Sequence, residues 1–282
     1  MTLDIKYKYL NFDKSNEKLK KFHYINNQIK NNYNNEILSF HRILYLQNTF
    51  LGESITYLQI DNINNKVLSI CEYVCKEGFD NEIKLNKLFS HISFNIKTDI
   101  NKCKGILNTF DQYLTSNFKE TILFFDKVKK IHEQLLFYEN HCGKIRNYNV
   151  MPYGKNYAYL HYSKIENKLN LLFNFINQKL NIKNTFEERL KLATIFVDEF
   201  LFIHPFESGN GRCARICFSL LLKGYTIPIT IIGHKEYNLS RIIYIDCLED
   251  SHFYQKIPSK LYSMLLDSCI INTSNIFKCL DL

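Results

Sequence analysis

The chain has 282 residues, of which 46% are hydrophobic and 15% aromatic, enough for a packed core and against a wholly disordered chain. With 9 Gly and 4 Pro it is too poor in turn-forming residues for a collagen-like, proline-rich or loop-dominated all-β protein. Its 36 Lys and Arg against 28 Asp and Glu give a net charge of +8, but no Arg–aromatic interleaving and no Cys–His zinc spacing supports a nucleic-acid partner. No run of about 18 apolar residues is present, so no membrane span is expected. The start, Met1-Thr-Leu-Asp-Ile-Lys, lacks the basic-then-apolar layout of a secretory signal, and an intracellular, cytoplasmic location is expected. The nine cysteines are scattered. The i,i+4 pairs Cys71/Cys75 and Cys213/Cys217 lack a matching second pair for zinc and read as small buried hydrophobes.

In chain order, a 3.6-residue apolar period predicts a helix through Ile37, Leu38, His41, Leu44 and Tyr45. A boundary is expected near 125–135, between an Asn- and Lys-rich helical region and a motif-bearing half. Strand-like alternation follows at 147–160, then an amphipathic helix at 166–180. Thr185-Phe-Glu-Glu188 has the form of a capping box and opens a helix over 188–202. A further helix from Cys213 to Lys223 ends at Gly224, where a glycine suits the left-handed residue after a helix. Brief alternation returns at 226–232, and 266–282 reads as a tail helix. The expected class is all-α, with an amino-terminal helical region at 1–130, a domain at 134–265 and the tail.

The densest chemistry lies in His204-Pro-Phe-Glu-Ser-Gly-Asn-Gly-Arg-Cys-Ala-Arg215. Pro205 disfavours helical backbone at His204 and so ends the preceding helix. Gly209 and Gly211 bracket Asn210 and let the backbone approach a ligand closely. Amide groups of a glycine-rich loop entering a helix form an anion site, and Arg212 and Arg215, three residues apart, suit phosphate oxygens. His204 could accept a proton from an incoming hydroxyl. Each element alone fits an ordinary helix–loop–helix; together they point to phosphoryl or nucleotidyl transfer.

The loop also resembles the His-x-Phe-x-(Asp/Glu)-Gly-Asn-Gly-Arg-x-x-Arg motif of the Fic (Fido) proteins at every position but one. Gly143-Lys-Ile-Arg146 is similar to the segment before that family's flap, and Glu166-Asn-Lys-Leu and Tyr225-Thr-Ile-Pro resemble segments that flank its motif. The resemblance implies an all-α Fic bundle with a small β-hairpin flap. It implies a protein adenylyltransferase that moves AMP from ATP, with Mg²⁺ or Mn²⁺, to a Ser, Thr or Tyr hydroxyl of a target protein. His204 would be the general base. Ser208, Gly209, Asn210, Gly211, Arg212 and Arg215 would hold the phosphates. The flap, Lys155, Asn156, Tyr157 and Ala158, would pin the target by strand addition. Tyr237, Ser240, Arg241 and Tyr244 fall where the family places residues that contact the base.

Two departures bear on activity. The family's metal-binding acid is Ser208 here, a weak ligand for a hard dication, with Glu207 next to it as a substitute candidate. Upstream, Thr49-Phe-Leu-Gly-Glu53-Ser54 resembles the family's inhibitory motif, which implies that Glu53 pairs with Arg215 and blocks the γ-phosphate position. A de-AMPylase, another Fic-type transferase and a catalytically weak nucleotide-binding protein remain open alternatives, as does a homodimer.

Overall fold

The computed structural model describes residues 2–10, 17–53, 63–93, 95–115, 123–152, 155–180, 183–231 and 241–278. Among them the chain is all-α, and its β pairing is limited to two isolated bridges, Ile145 with Phe206 and Lys223 with Thr226. The amino-terminal half contains α1 (Leu3–Tyr9), α2 (Glu17–Asn32), α3 (Asn35–Glu53), α4 (Ile63–Glu77), α5 (Glu82–Phe89) and α6 (Ile96–Thr109), the last running into a π-helical turn. The carboxy-terminal half contains α7 (Phe125–Leu135), α8 (Ile165–Lys179), α9 (Phe186–Ile203), α10 (Asn210–Leu221), α11 (Arg241–Glu249), a π-helical turn at Asp250–Gln255 and α12 (Ser259–Lys278).

The spine is α9. Most of its residues from Leu190 to Ile203 are buried, and it packs against α1, α8, α10 and α12. Its start is fixed by the capping box: Glu188 N–H donates to Thr185 Oγ1 at 3.3 Å, and Thr185 N–H donates to Glu188 Oε2 at 2.8 Å. Two buried charged residues, Arg189 and Asp198, interrupt the apolar surface. Asp198 is fully buried and receives Lys6 Nζ from α1 at 2.6 Å, and Lys6 also reaches Glu199 at 2.6 Å. His252 Nε2 lies 2.9 Å from the Asp198 carbonyl and 3.1 Å from its Oδ1. Burial alone would raise the Asp198 carboxyl, but the His252 hydrogen bond and the Lys6 charge hold it below its usual range.

The alternation at 226–232 does not produce a strand among the described residues. Through residue 231, side chains from two helices, α10 and α12, take the place of a neighbouring strand. Ser219 Oγ donates to the Ile229 carbonyl at 2.9 Å and accepts the Ile229 N–H at 3.1 Å. Asn272 Nδ2 donates to the Thr230 carbonyl at 2.8 Å while Asn272 Oδ1 accepts the Thr230 N–H at 3.1 Å. Ser268 Oγ donates to the Ile231 carbonyl. Backbone groups of a buried segment must be satisfied, and here helix side chains do it. Segment 147–160 likewise doubles back without a ladder: Tyr159 N–H donates to the Val150 carbonyl at 3.1 Å, and Lys155 N–H closes a turn onto Pro152. The tail helix expected over 266–282 is the second half of α12, which is buried against α2 and α9. Among the described residues no helix is long and apolar enough to cross a membrane.

Candidate functional site

The loop between α9 and α10 is braced from four directions. His204 ends α9 in the left-handed region, φ 50° and ψ 61°, strained for a residue with a side chain. Arg146 spans this corner. Its Nε donates to the His204 carbonyl at 2.7 Å, Nη1 to Tyr148 at 2.7 Å, and Nη2 to Leu160 at 2.5 Å and Ile203 at 3.2 Å. Asn210 closes the loop on itself: its Oδ1 accepts the Phe206 N–H at 2.9 Å and its Nδ2 donates to the Phe206 carbonyl at 2.8 Å. Phe206 is fully buried and stacks on the His132 ring at 3.8 Å between centroids. Gly209 has φ +72°, and a Cβ there would collide with Leu136 Cδ1.

His132 supplies the fourth brace. Its Nδ1 accepts the Gly143 N–H at 2.8 Å, so Nε2 must carry the ring proton, which it donates to the Ser208 carbonyl at 2.9 Å. That tautomer is neutral, and burial drives the imidazole down to about 4, with repulsion from His141 and Arg212 acting in the same direction. Ser208 is also held through its side chain, with Oγ 2.7 Å from His141 Nε2.

The loop and the amino end of α10 form one wall of a cavity of about 550 Å³. His204, Gly209, Asn210, Gly211, Arg212 and Arg215 all line it, so six of the loop residues singled out from the sequence meet in one space. Ser208 does not line it, whereas Glu207 does. The His204 ring stacks on Tyr159 at 3.7 Å and 9°, and burial first, then the Arg146 charge, lowers it to about 4. The Leu201 carbonyl pulls the other way, yet Nδ1 makes no hydrogen bond of proper geometry. The imidazole is therefore neutral at pH 7 and available as a proton acceptor. Burial lowers the Arg215 guanidinium to about 10, where it remains charged at neutral pH. Arg212 Nη1 donates to Tyr138 at 3.2 Å.

Of the four residues expected to form the flap, Lys155 and Tyr157 line the cavity, while Asn156 and Ala158 do not. Lys155 Nζ meets Glu249 Oε1 of α11 at 2.7 Å, and the Tyr157 hydroxyl donates to the same oxygen at 3.2 Å. Arg241 and Tyr244 of α11 and His252 also line the cavity. Glu53 is the last residue of α3; its side chain, Ser54 and the Tyr237–Ser240 segment lie outside the described residues.

A dication at the phosphates would need anionic oxygen donors. Ser208 turns its hydroxyl to His141, and the exposed Glu207 carboxylate accepts a hydrogen bond from the Tyr148 hydroxyl. Among the described residues no three His, Cys, Asp or Glu side chains converge as a metal-binding group. This donor set does not fit a dedicated dication site.

Residues 123–222 match the Fic/DOC family model. That stretch belongs to the Fic/DOC family. The match takes in α7 to α10, and hence both the catalytic-type loop and His132; it overlaps the expected 134–265 domain from its start to 222. The whole fold is similar to that of Fic-1 from C. elegans, with a TM-score of 0.66, 16% identity, and coverage of 94% of this chain and 72% of that one. It is also similar to BepC from Bartonella tribocorum, solved with bound AMPPNP, with a TM-score of 0.50, 15% identity, and coverage of 68% and 90%. At these identities the likeness concerns the fold. A stretch of 51 residues is 37% identical to the ribonucleoside-diphosphate reductase small chain of Ostreid herpesvirus 1 (isolate France), covering 18% of this chain and 8% of that protein.

Sequence reasoning did not anticipate the two histidines on Ser208, the Tyr159 stack on His204, or the Glu249 latch on Lys155 and Tyr157. His132 had a visible signal, since it lies on the apolar stripe Val128, Ile131, Leu135 of α7. Tyr159 and Glu249 had none.

Proposed function

We propose that this Fic domain is a protein adenylyltransferase that transfers AMP from ATP to a Ser, Thr or Tyr hydroxyl of a target protein. The observation that carries the reading is a neutral, cavity-lining His204 beside the Gly209–Gly211 amides, Arg212 and Arg215. The target hydroxyl oxygen attacks the α-phosphorus, its proton passes to the His204 ring, and the bond from the α-phosphorus to the bridging oxygen breaks to release pyrophosphate. The amino end of α10 and the two arginines oppose the charge of the departing group. An anion in the cavity also raises the His204 pKa from its low resting value, making it a better base when substrate is bound. The AMPPNP bound to BepC supports an adenine nucleotide as the ligand of this fold.

Autoinhibition by Glu53 is part of the same reading. Positions 45, 49 and 53 recur every four residues on one face of α3, and Tyr45 lies close enough to Arg215 to feel its charge. The removal of Ser208 from the cavity favours one second reading, a nucleotide-binding domain with slow transfer.

Incubation with ATP labelled at the α-phosphate, with and without Mg²⁺, tests these readings. Label should appear on the protein, rise in Glu53→Gly and vanish in His204→Ala. Transfer that survives His204→Ala refutes the base assignment. ATP binding without transfer in either wild type or Glu53→Gly supports the second reading.

A further inference from the structure

A histidine that serves as a base is ordinarily aimed by a third group, which holds the nitrogen that does not take the proton. His204 lacks that support: its buried Nδ1 makes no hydrogen bond of proper geometry. The torsion that swings an imidazole about its stem is broad, so an unbonded ring is free to turn unless something walls it in. Tyr159 provides the wall. Its ring lies on the His204 ring with 3.7 Å between centroids and 9° between planes. Tyr159 is itself held in place. Its N–H donates to the Val150 carbonyl at 3.1 Å, and the next residue, Leu160, donates its N–H to the Phe202 carbonyl at 3.5 Å and accepts Arg146 Nη2 at 2.5 Å. Behind it the Tyr157 ring meets the Tyr159 ring edge-on, at 6.1 Å and 90°. Tyr157 in turn packs on Phe253 at 4.4 Å and donates to Glu249 at 3.2 Å.

We propose that Tyr159 is the positioning residue of His204: its stacked ring fixes the plane of the imidazole, and with it the direction of the accepting nitrogen, in place of the missing Nδ1 hydrogen bond. This rests on the transferase reading above. The lone pair that takes the proton lies in the plane of the imidazole, so turning the ring spoils the transfer as surely as moving it does. A stack covers a face and leaves the edge, where that lone pair points, to the substrate hydroxyl. Tyr159 does not compete for the proton. Its hydroxyl lies in a plane parallel to the imidazole and away from the lone-pair direction, and burial first, then the Glu249 charge, keeps that hydroxyl protonated. What Tyr159 supplies is therefore a flat surface, and a phenyl ring would serve as well as a phenol.

Two measurements on the full chain test the proposal, with wild type, Tyr159→Leu and Tyr159→Phe. The first is NMR of protein labelled at histidine, with the His204 ring signal identified by its loss in His204→Gln. A ring stacked under a phenol should resonate upfield in wild type, stay upfield in Tyr159→Phe and return to an ordinary position in Tyr159→Leu. The second is transfer of label from ATP labelled at the α-phosphate. Tyr159→Leu should lower kcat about ten- to a hundredfold while the KM for ATP stays within about threefold, and Tyr159→Phe should restore most of the rate. An unshifted His204 signal in wild type overturns the proposal, even where Tyr159→Leu folds poorly. So does a wild-type kcat in Tyr159→Leu, or a loss in Tyr159→Phe equal to that in Tyr159→Leu, which would assign the effect to the hydroxyl. Absence of transfer in both wild type and Glu53→Gly, with the His204 shifts as expected, overturns the transferase reading and upholds the placement of the ring.

Discussion

Acidification should loosen the loop through His132, and the size of the effect follows from its hydrogen bonds. Both ring nitrogens are committed in the neutral tautomer, Nδ1 to the Gly143 N–H and Nε2 to the Ser208 carbonyl. A second ring proton would set Nδ1–H against an N–H donor, so the folded protein resists protonation down to about pH 4, whereas the unfolded chain protonates near 6.5. Between these values the unfolded state binds more protons, so stability falls as the pH falls. The penalty is absent well above 6.5, grows through the window and is complete below about 4. From pH 7 to 5 it amounts to about 2 kcal/mol for this one group. The assay is the urea midpoint at pH 7 and pH 5 for wild type and His132→Gln, whose amide can still donate to Ser208. The variant should be less stable at pH 7 and should show a pH dependence smaller by about 2 kcal/mol. An unchanged pH dependence, or a His132 resonance titrating near 6.5, would refute the tautomer argument.

Two further outcomes follow from the brace and the latch. Gly209→Ala meets a positive φ and the Leu136 methyl together, so it should cost at least about 1–3 kcal/mol and abolish nucleotide binding; thermal melting and ATP titration check both parts. Glu249→Gln removes the charge that Lys155 pairs with and weakens the Tyr157 contact. Amide exchange over 155–160 should accelerate while that of α9 stays unchanged, and equal exchange in both proteins would show that the latch does not hold the flap.

Local rules account for what was legible in the sequence. The Thr185–Glu188 box spans four residues, and the helix it opens begins at Phe186, two residues ahead of the expected 188–202. The glycine after α10 has φ +88°, in the region where only glycine is unstrained. His204, Gly209, Asn210, Gly211, Arg212 and Arg215 line one cavity because they sit within twelve consecutive residues. The illegible parts depend on distant chain. Ser208 is held by residues 67 and 76 positions earlier, and no property of Ser208 announces them. The apparent strand at 226–232 is a different case. Alternation reports a two-sided environment, not a partner strand, and Ser219, Ser268 and Asn272 supply the missing hydrogen bonds.

The buried Lys6–Asp198 contact has a consequence for how the protein is made. Its two members are separated by 192 positions in the chain. At ordinary synthesis speeds of about 5–20 residues per second, the first helix waits roughly 10–40 s for its partner to be made. During that interval Lys6 must stay hydrated and the apolar face of α1 must stay uncovered. The helix that ends at His204 cannot pair its buried carboxylate until it meets a segment made 192 residues earlier. Burial of the Asp198 carboxylate, six residues before His204, is thereby tied to late, long-range closure of the chain.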